Sequence, residues 1–120
     1  MLTKIAEDGR AYQASKVPHI QEYRRLTKKL PNLDEIKTYI AENLNGVERF
    51  RVATKFGGEW EDTPLKTIWE AMDYDETNAG MLLGRIVQDV LINEDTAWLC
   101  TKTKRSTKVE YAIAFYWRAA

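Results

Sequence analysis

Lys102, Lys104, Arg105 and Lys108 fall within seven consecutive residues that contain no acid. Each presents charged N–H donors suited to phosphate oxygens, and Ser106 and Thr107 between them add hydroxyl donors. This charge is local. Eighteen Lys and Arg against eighteen Asp and Glu leave no formal net charge, so the chain as a whole exerts no pull on a polyanion or an anionic membrane. A second basic patch, Arg24, Arg25, Lys28 and Lys29, spans one helical turn opposite the apolar positions Ile20, Tyr23, Leu26 or Thr27, and Leu30. The acidic counterpart lies between Glu59 and Glu76, where seven acids accompany one base, Lys66. Glu59, Glu61, Asp62, Asp73, Asp75 and Glu76 are the residues that would face a basic groove on another protein.

Catalytic and metal chemistry finds little to work with. One cysteine excludes an internal disulfide, and one histidine excludes the usual zinc ligand sets. Cys100 alternates with Trp98 in a strand pattern, which buries the thiol, and His19 has no Ser, Cys or carboxylate signature to make it a base. Gly57-Gly58 lacks the following Lys-Ser/Thr of a phosphate loop, and adjacent acids such as Glu59, Glu61 and Asp62 in a polar loop are solvated rather than ligating. The expectation is a protein without catalysis, cofactor or metal. No run of about 18 apolar residues is present, and MLTKIAEDGRAYQ lacks the apolar centre of a signal peptide, so a cytoplasmic protein without a membrane partner is expected.

The elements that must position these residues follow from periodicity. TKIAE and RAYQA flank Asp8-Gly9, which suits a tight turn, so residues 1–17 form either a short hairpin or a frayed tail. Pro18 opens a helix that Pro31 ends. Asn32 caps the next, with Leu33, Ile36, Tyr39, Ile40 and Leu44 on its buried face and Asn45-Gly46 as its stop. Phe50, Val52, Thr54 and Phe56 alternate as one face of a strand, Gly57-Gly58 turns, and EWEDT returns. Thr63 caps a helix with the stripe Leu65, Ile68, Trp69 and Met72. After the turn DYDETN a second helix, about 79–92, carries Leu82, Leu83, Ile86, Val87, Val90 and Leu91. Gly80 and Gly84 inside it point to close helix packing. Finally Val109, Tyr111, Ile113, Phe115 and Trp117 alternate, with Ala112, Ala114 and Tyr116 making the other face half-apolar. Such a strand is central or covered, and its partner is AWLCTKT.

Ile68 and Met72 in the first helix of 64–92, Ala79 and Leu82 or Leu83 in the second, and Ile86 behind them give a spacing that resembles the helix-turn-helix core of the winged-helix superfamily. With the following ribbon the resemblance covers residues 64–118. Trp69 stands where that superfamily has a small residue, and Asp73 where it has a turn glycine. The resemblance implies that the second helix enters a major groove, with Asn78, Arg85 and Gln88 toward bases, while the basic hairpin contacts the backbone as a wing. Asp73, Asp75 and Glu76 crowd that helix's entrance, where carboxylates oppose phosphate but suit the N-terminal dipole.

The length bounds one α+β domain over residues 1–120, with a helical pair plus β-hairpin at 18–62 and a winged-helix-like half at 63–120. Two functions fit. One is a small non-catalytic nucleic-acid-binding or transcription-regulatory protein using the wing and second helix. The other is a protein-binding adaptor or inhibitor using the acidic 59–76 surface, as accessory proteins of phages and mobile elements do. Tyr74, Tyr116 and Trp117 have no assured place in a single core and leave room for a homodimer.

Overall fold

The computed structural model describes residues 1–6, 8–102 and 114–119. In chain order its elements are β1 (Leu2–Ile5), β2 (Ala11–Ala14), α1 (Ile20–Thr27), α2 (Leu33–Leu44), β3 (Arg49–Phe50), α3 (Val52–Phe56), α4 (Lys66–Ala71), α5 (Glu76–Asn93), β4 (Trp98–Lys102) and β5 (Ala114–Arg118). They form a single α+β domain, as composition and length required. The five strands make one mixed sheet in the order β2-β1-β4-β5-β3. Of the two expectations for residues 1–17 the structure takes the hairpin. Gly9 turns at φ 84, and its N–H donates to the Ala6 carbonyl while the Arg10 N–H donates to Asp8 Oδ1. β1 then pairs antiparallel with β2 and parallel with β4.

Register divides the sheet into two faces, because side chains alternate along each strand. Leu2, Ala14, Trp98, Cys100, Tyr116 and Phe50 point inward and are buried. Phe50 stacks on Tyr116 at 5.1 Å and meets Trp98 edge-on at 5.5 Å. Against this face lies α5, whose Ala79, Leu82, Leu83, Ile86, Val87, Val90 and Leu91 are buried. Its apolar surface is wide because α1, α2, α3, α4 and β1 all pack on it. Polar ties fix the surrounding helices. Asp89 of α5 accepts from the Tyr23 hydroxyl of α1 at 2.6 Å and pairs with Lys37 of α2 at 3.0 Å. Arg118 at the end of β5 donates to the Val47 carbonyl at 2.6 Å and to the Leu44 carbonyl, the last of α2, at 2.8 Å. Its guanidinium also lies over Trp98, 4.4 Å from the ring centre.

Several elements differ from expectation. FRVATKF is not a strand. Only Arg49 and Phe50 pair with β5, and Val52–Phe56 is the helix α3. Val52 and Phe56 are four apart, so the positions that satisfy period two also share a helix face, and Phe56 is buried on it. EWEDT forms no return strand: the Trp60 indole N–H donates to the Phe56 carbonyl and draws the segment into a turn. Asn32 precedes α2 but does not cap it, since its amide donates to the Pro64 carbonyl at 3.3 Å. Thr63 accepts from the Leu65 N–H at 3.2 Å, one turn ahead of α4. The helix α5 begins earlier than expected because Asp75 accepts from the Asn78 N–H at 3.0 Å and caps it. The α4–α5 turn is made without glycine: Asp73 and Tyr74 take φ 54 and 62, and the Tyr74 ring meets Trp69 edge-on at 4.8 Å. Close packing does not explain Gly80 and Gly84, since a Cβ at either would meet nothing within 4 Å.

Candidate nucleic-acid interface

The outward face of the sheet carries Ala11 and Gln13 on β2, Thr3 and Ile5 on β1, Leu99 and Thr101 on β4, Phe115 and Trp117 on β5, and Arg49 on β3. No acid occupies any of these positions. Ile5, Leu99, Phe115 and Trp117 are half-buried and stand apart from the apolar core, to which the described helices contribute their buried side chains on the other face. Phe115 and Trp117 are one strand repeat apart with ring centres 5.9 Å from each other and planes tilted by 37°. The Arg51 guanidinium lies 5.5 Å from the centre of the Phe115 ring. Arg49 and Arg51 are exposed, and neither forms an ion pair with a described residue. The face therefore combines flat apolar rings with cations that lack a carboxylate partner among the described residues. Chemically it suits a ligand with planar rings and negative charge.

The expected recognition residues of α5 are not gathered on one exposed surface. Asn78 is exposed at the helix start, where its backbone N–H is taken by Asp75. Arg85 is turned toward α1 and donates to Glu22 Oε1 at 3.2 Å, leaving its side chain 13% exposed. Gln88 faces the sheet and hydrogen-bonds the Tyr116 side chain, with its Oε1 buried. Burial, with Cys100 nearby, pushes the Tyr116 phenol above its ordinary range, and the Gln88 bond opposes that shift. The exposure anticipated for Arg85 and Gln88 is thus corrected. The reason is that α5 is the central helix of the domain, wrapped by its neighbours over most of its circumference.

Of the basic wing, Lys102 ends β4, and Lys104, Arg105 and Lys108 lie outside the described residues, as do Val109, Tyr111 and Ile113. β5 sits between β4 and β3, as a strand apolar on both sides should. Its buried side is that of Tyr116, while Phe115 and Trp117 point outward. This also gives Tyr116 a place in the core and leaves Trp117 and Tyr74 outside it.

Arg24, Arg25, Lys28 and Lys29 are all exposed, and the first three border an open depression of about 410 Å³ with Gln21 and Thr27. They lie on α1 and the two residues that follow it, on the helical side of the domain, so this patch does not extend the outward sheet face. Glu59, Glu61, Asp62, Asp73, Asp75 and Glu76 are exposed as well. Glu61 pairs with Lys66 at 2.8 Å, which holds that ammonium above its ordinary pKa, and Asp75 is the cap of α5. Among the described residues, no three His, Cys, Asp or Glu side chains are placed to hold a metal ion, and no helix is long and apolar enough to cross a membrane.

Arg49 and Arg51 were not anticipated as site residues. Their signal was hidden because residues 50–56 look like one strand, in which Arg49 and Arg51 would only alternate with the apolar face. Compared with family models, curated proteins and solved structures, the chain matches none.

Proposed function

We propose that the protein is a small, non-catalytic nucleic-acid-binding protein that contacts its ligand through the outward sheet face and the basic β4–β5 connection. The observation that carries this is the acid-free face on which Phe115 and Trp117 lie beside Arg49 and Arg51. Following β4, the sequence adds Lys104, Arg105 and Lys108 with no acid before Glu110. A protein of zero net charge can hold a polyanion only where such a local excess exists. In this reading α5 supports the sheet and does not read a groove, which removes the conflict with Asp73, Asp75 and Glu76 at its entrance. The winged-helix resemblance then stands only as a likeness of element order.

Binding of random-sequence oligonucleotides measured by anisotropy at two salt concentrations tests the proposal. Affinity should fall with salt, and Lys104→Ala with Arg105→Ala should flatten the logarithmic slope by about 0.7 to 0.9 for each phosphate contact removed. Absence of binding at low salt would refute it.

The acidic surface supports a second reading, as a protein-binding adaptor or inhibitor. Glu59, Asp62, Asp73 and Glu76 are exposed and form no ion pair with a described residue. That reading requires a basic protein partner that is released when Glu59 and Asp62 are neutralised. A partner retained by the neutralised protein removes it.

A further inference from the structure

We infer that the ligand of the outward face is single-stranded, with unpaired bases stacked on Phe115 and Trp117 and the phosphates met by Arg49 and Arg51. This rests on the nucleic-acid reading above and names the form of nucleic acid that the face selects.

The inference starts from what the two rings are doing. A Phe and a Trp on a strand normally belong to a core, yet here the core side of β5 is taken by Tyr116, which is buried, and its neighbours Phe115 and Trp117 point away from it. Phe115 pairs with Thr101 and Trp117 with Leu99 of β4, and Trp117 also pairs with Arg49 of β3, so strand pairing holds their backbone and neither ring sits on a loop. Their centres are 5.9 Å apart, so the pair offers two adjacent platforms and does not collapse into one stacked unit. Arg51 lies over the Phe115 ring and Arg49 stands opposite Trp117 in register. A cation is therefore available beside each ring for the phosphates of a strand that brings its bases to this face. Thr101, outward next to Leu99, adds a hydroxyl that donates to the Ile5 carbonyl and keeps that end of the face uncharged.

A duplex cannot use this arrangement. Its bases are stacked on one another and present only edges in the grooves, so side-chain rings have no base face to meet. Groove reading by α5 would need an exposed polar face, but Arg85 is held by Glu22 and Gln88 by Tyr116, and the helix entrance is acidic. A single strand has both requirements at once: free base faces and closely spaced phosphates. Stacking is also tolerant of base identity, so the selectivity expected is for strandedness over sequence.

The test titrates the whole protein with 12-nucleotide oligo-dT and oligo-U and with a random duplex of the same length, following anisotropy and intrinsic tryptophan fluorescence. Expected are tighter binding of the single strands than of the duplex and quenching that disappears in Trp117→Phe while affinity is largely kept. Phe115→Ala and Trp117→Ala should each weaken single-strand binding by about tenfold to a hundredfold without changing the salt slope, because stacking neutralises no phosphate. Arg49→Ala with Arg51→Ala should instead lower the slope by about 1.4. Unfolding midpoints within about 2 °C of the parent would show that these outward variants keep the fold. Equal binding of duplex and single strand, or ring variants that bind as the parent does, overturns the inference and leaves the nucleic-acid reading intact. No binding of either ligand at low salt overturns both, as does a self-association removed by Phe115→Ala in place of oligonucleotide binding.

Discussion

Tyr23→Phe should weaken the domain by an amount that depends on pH in a defined way. The Tyr23 hydroxyl donates to Asp89 at 2.6 Å, joining α1 to α5, and Asp89 also holds Lys37 and Asn93. A hydrogen bond to a charged group contributes about 1.5–3 kcal/mol. Because Lys37 and Asn93 remain on the carboxylate in the variant, the loss belongs in the lower part of that range, about 2 kcal/mol. For a domain of this size that is a fall of roughly 8 °C in Tm. Burial, reinforced by the neighbouring Asp89 carboxylate, raises the Tyr23 phenol well above its ordinary value near 10. As pH rises, the unfolded chain therefore loses this proton first. The contribution of Tyr23 is complete below about pH 10 and declines by about 1.4 kcal/mol per unit above it. Phenylalanine has no such proton. The gap between parent and variant should stay near 2 kcal/mol from pH 7 to 9 and shrink to about 0.6 kcal/mol at pH 11. Urea unfolding at fixed temperature, with unchanged m-values, measures both numbers. A difference below about 0.5 kcal/mol at pH 7, or one that does not move between pH 9 and 11, would refute the bonded, buried state of Tyr23.

The remaining predictions concern stability. Gly80→Ala and Gly84→Ala should each stabilise the protein by roughly 0.5–1 kcal/mol, because α5 gains a better helix former and the new methyl meets nothing within 4 Å; chemical denaturation of the single and double variants checks both the sign and the additivity. Gly57→Ala should do the opposite, by about 1–3 kcal/mol, since its Cβ would lie 1.9 Å from the Ala53 carbonyl oxygen and α3 would have to shift. Arg118→Lys should cost about 2 kcal/mol despite keeping the charge, because one ammonium cannot reach the Leu44 and Val47 carbonyls and lie flat on Trp98 together; thermal unfolding reads this directly.

Strong, long periodicity was legible in the chain, and short ambiguous segments were not. The buried series of α5 from Leu82 to Leu91 and the face Ile36, Ile40 and Leu44 of α2 stand as the spacing indicated. In residues 50–56 an alternation and an i, i+4 pair coincide, so local pattern cannot choose between strand and helix; the pairing of Phe50 with Tyr116 and the burial of Phe56 decide. The same limit hid the outward face. Alternation in β5 identifies two sides but not which one meets the core, and that choice is made by α5 packing on Tyr116 and Cys100 from a distant part of the sequence. Arg85 and Gln88 looked exposed because a helix with several charged positions is normally at the surface, whereas α5 turns those side chains onto Glu22 and Tyr116.

The parallel pairing of β1 with β4 has a consequence for how the chain comes to be folded. Leu2 is fully buried and sits opposite Trp98, so the opening strand has no partner on that edge until nearly all of the sequence is available. The β1–β2 hairpin is too small to be stable alone. During synthesis it must wait, and α5, which packs on β1, emerges before β4 and β5 complete the sheet. The domain should therefore order in one late, cooperative step instead of growing from its start, and a chain cut before β4 should lose the order of its first strands along with that of its last.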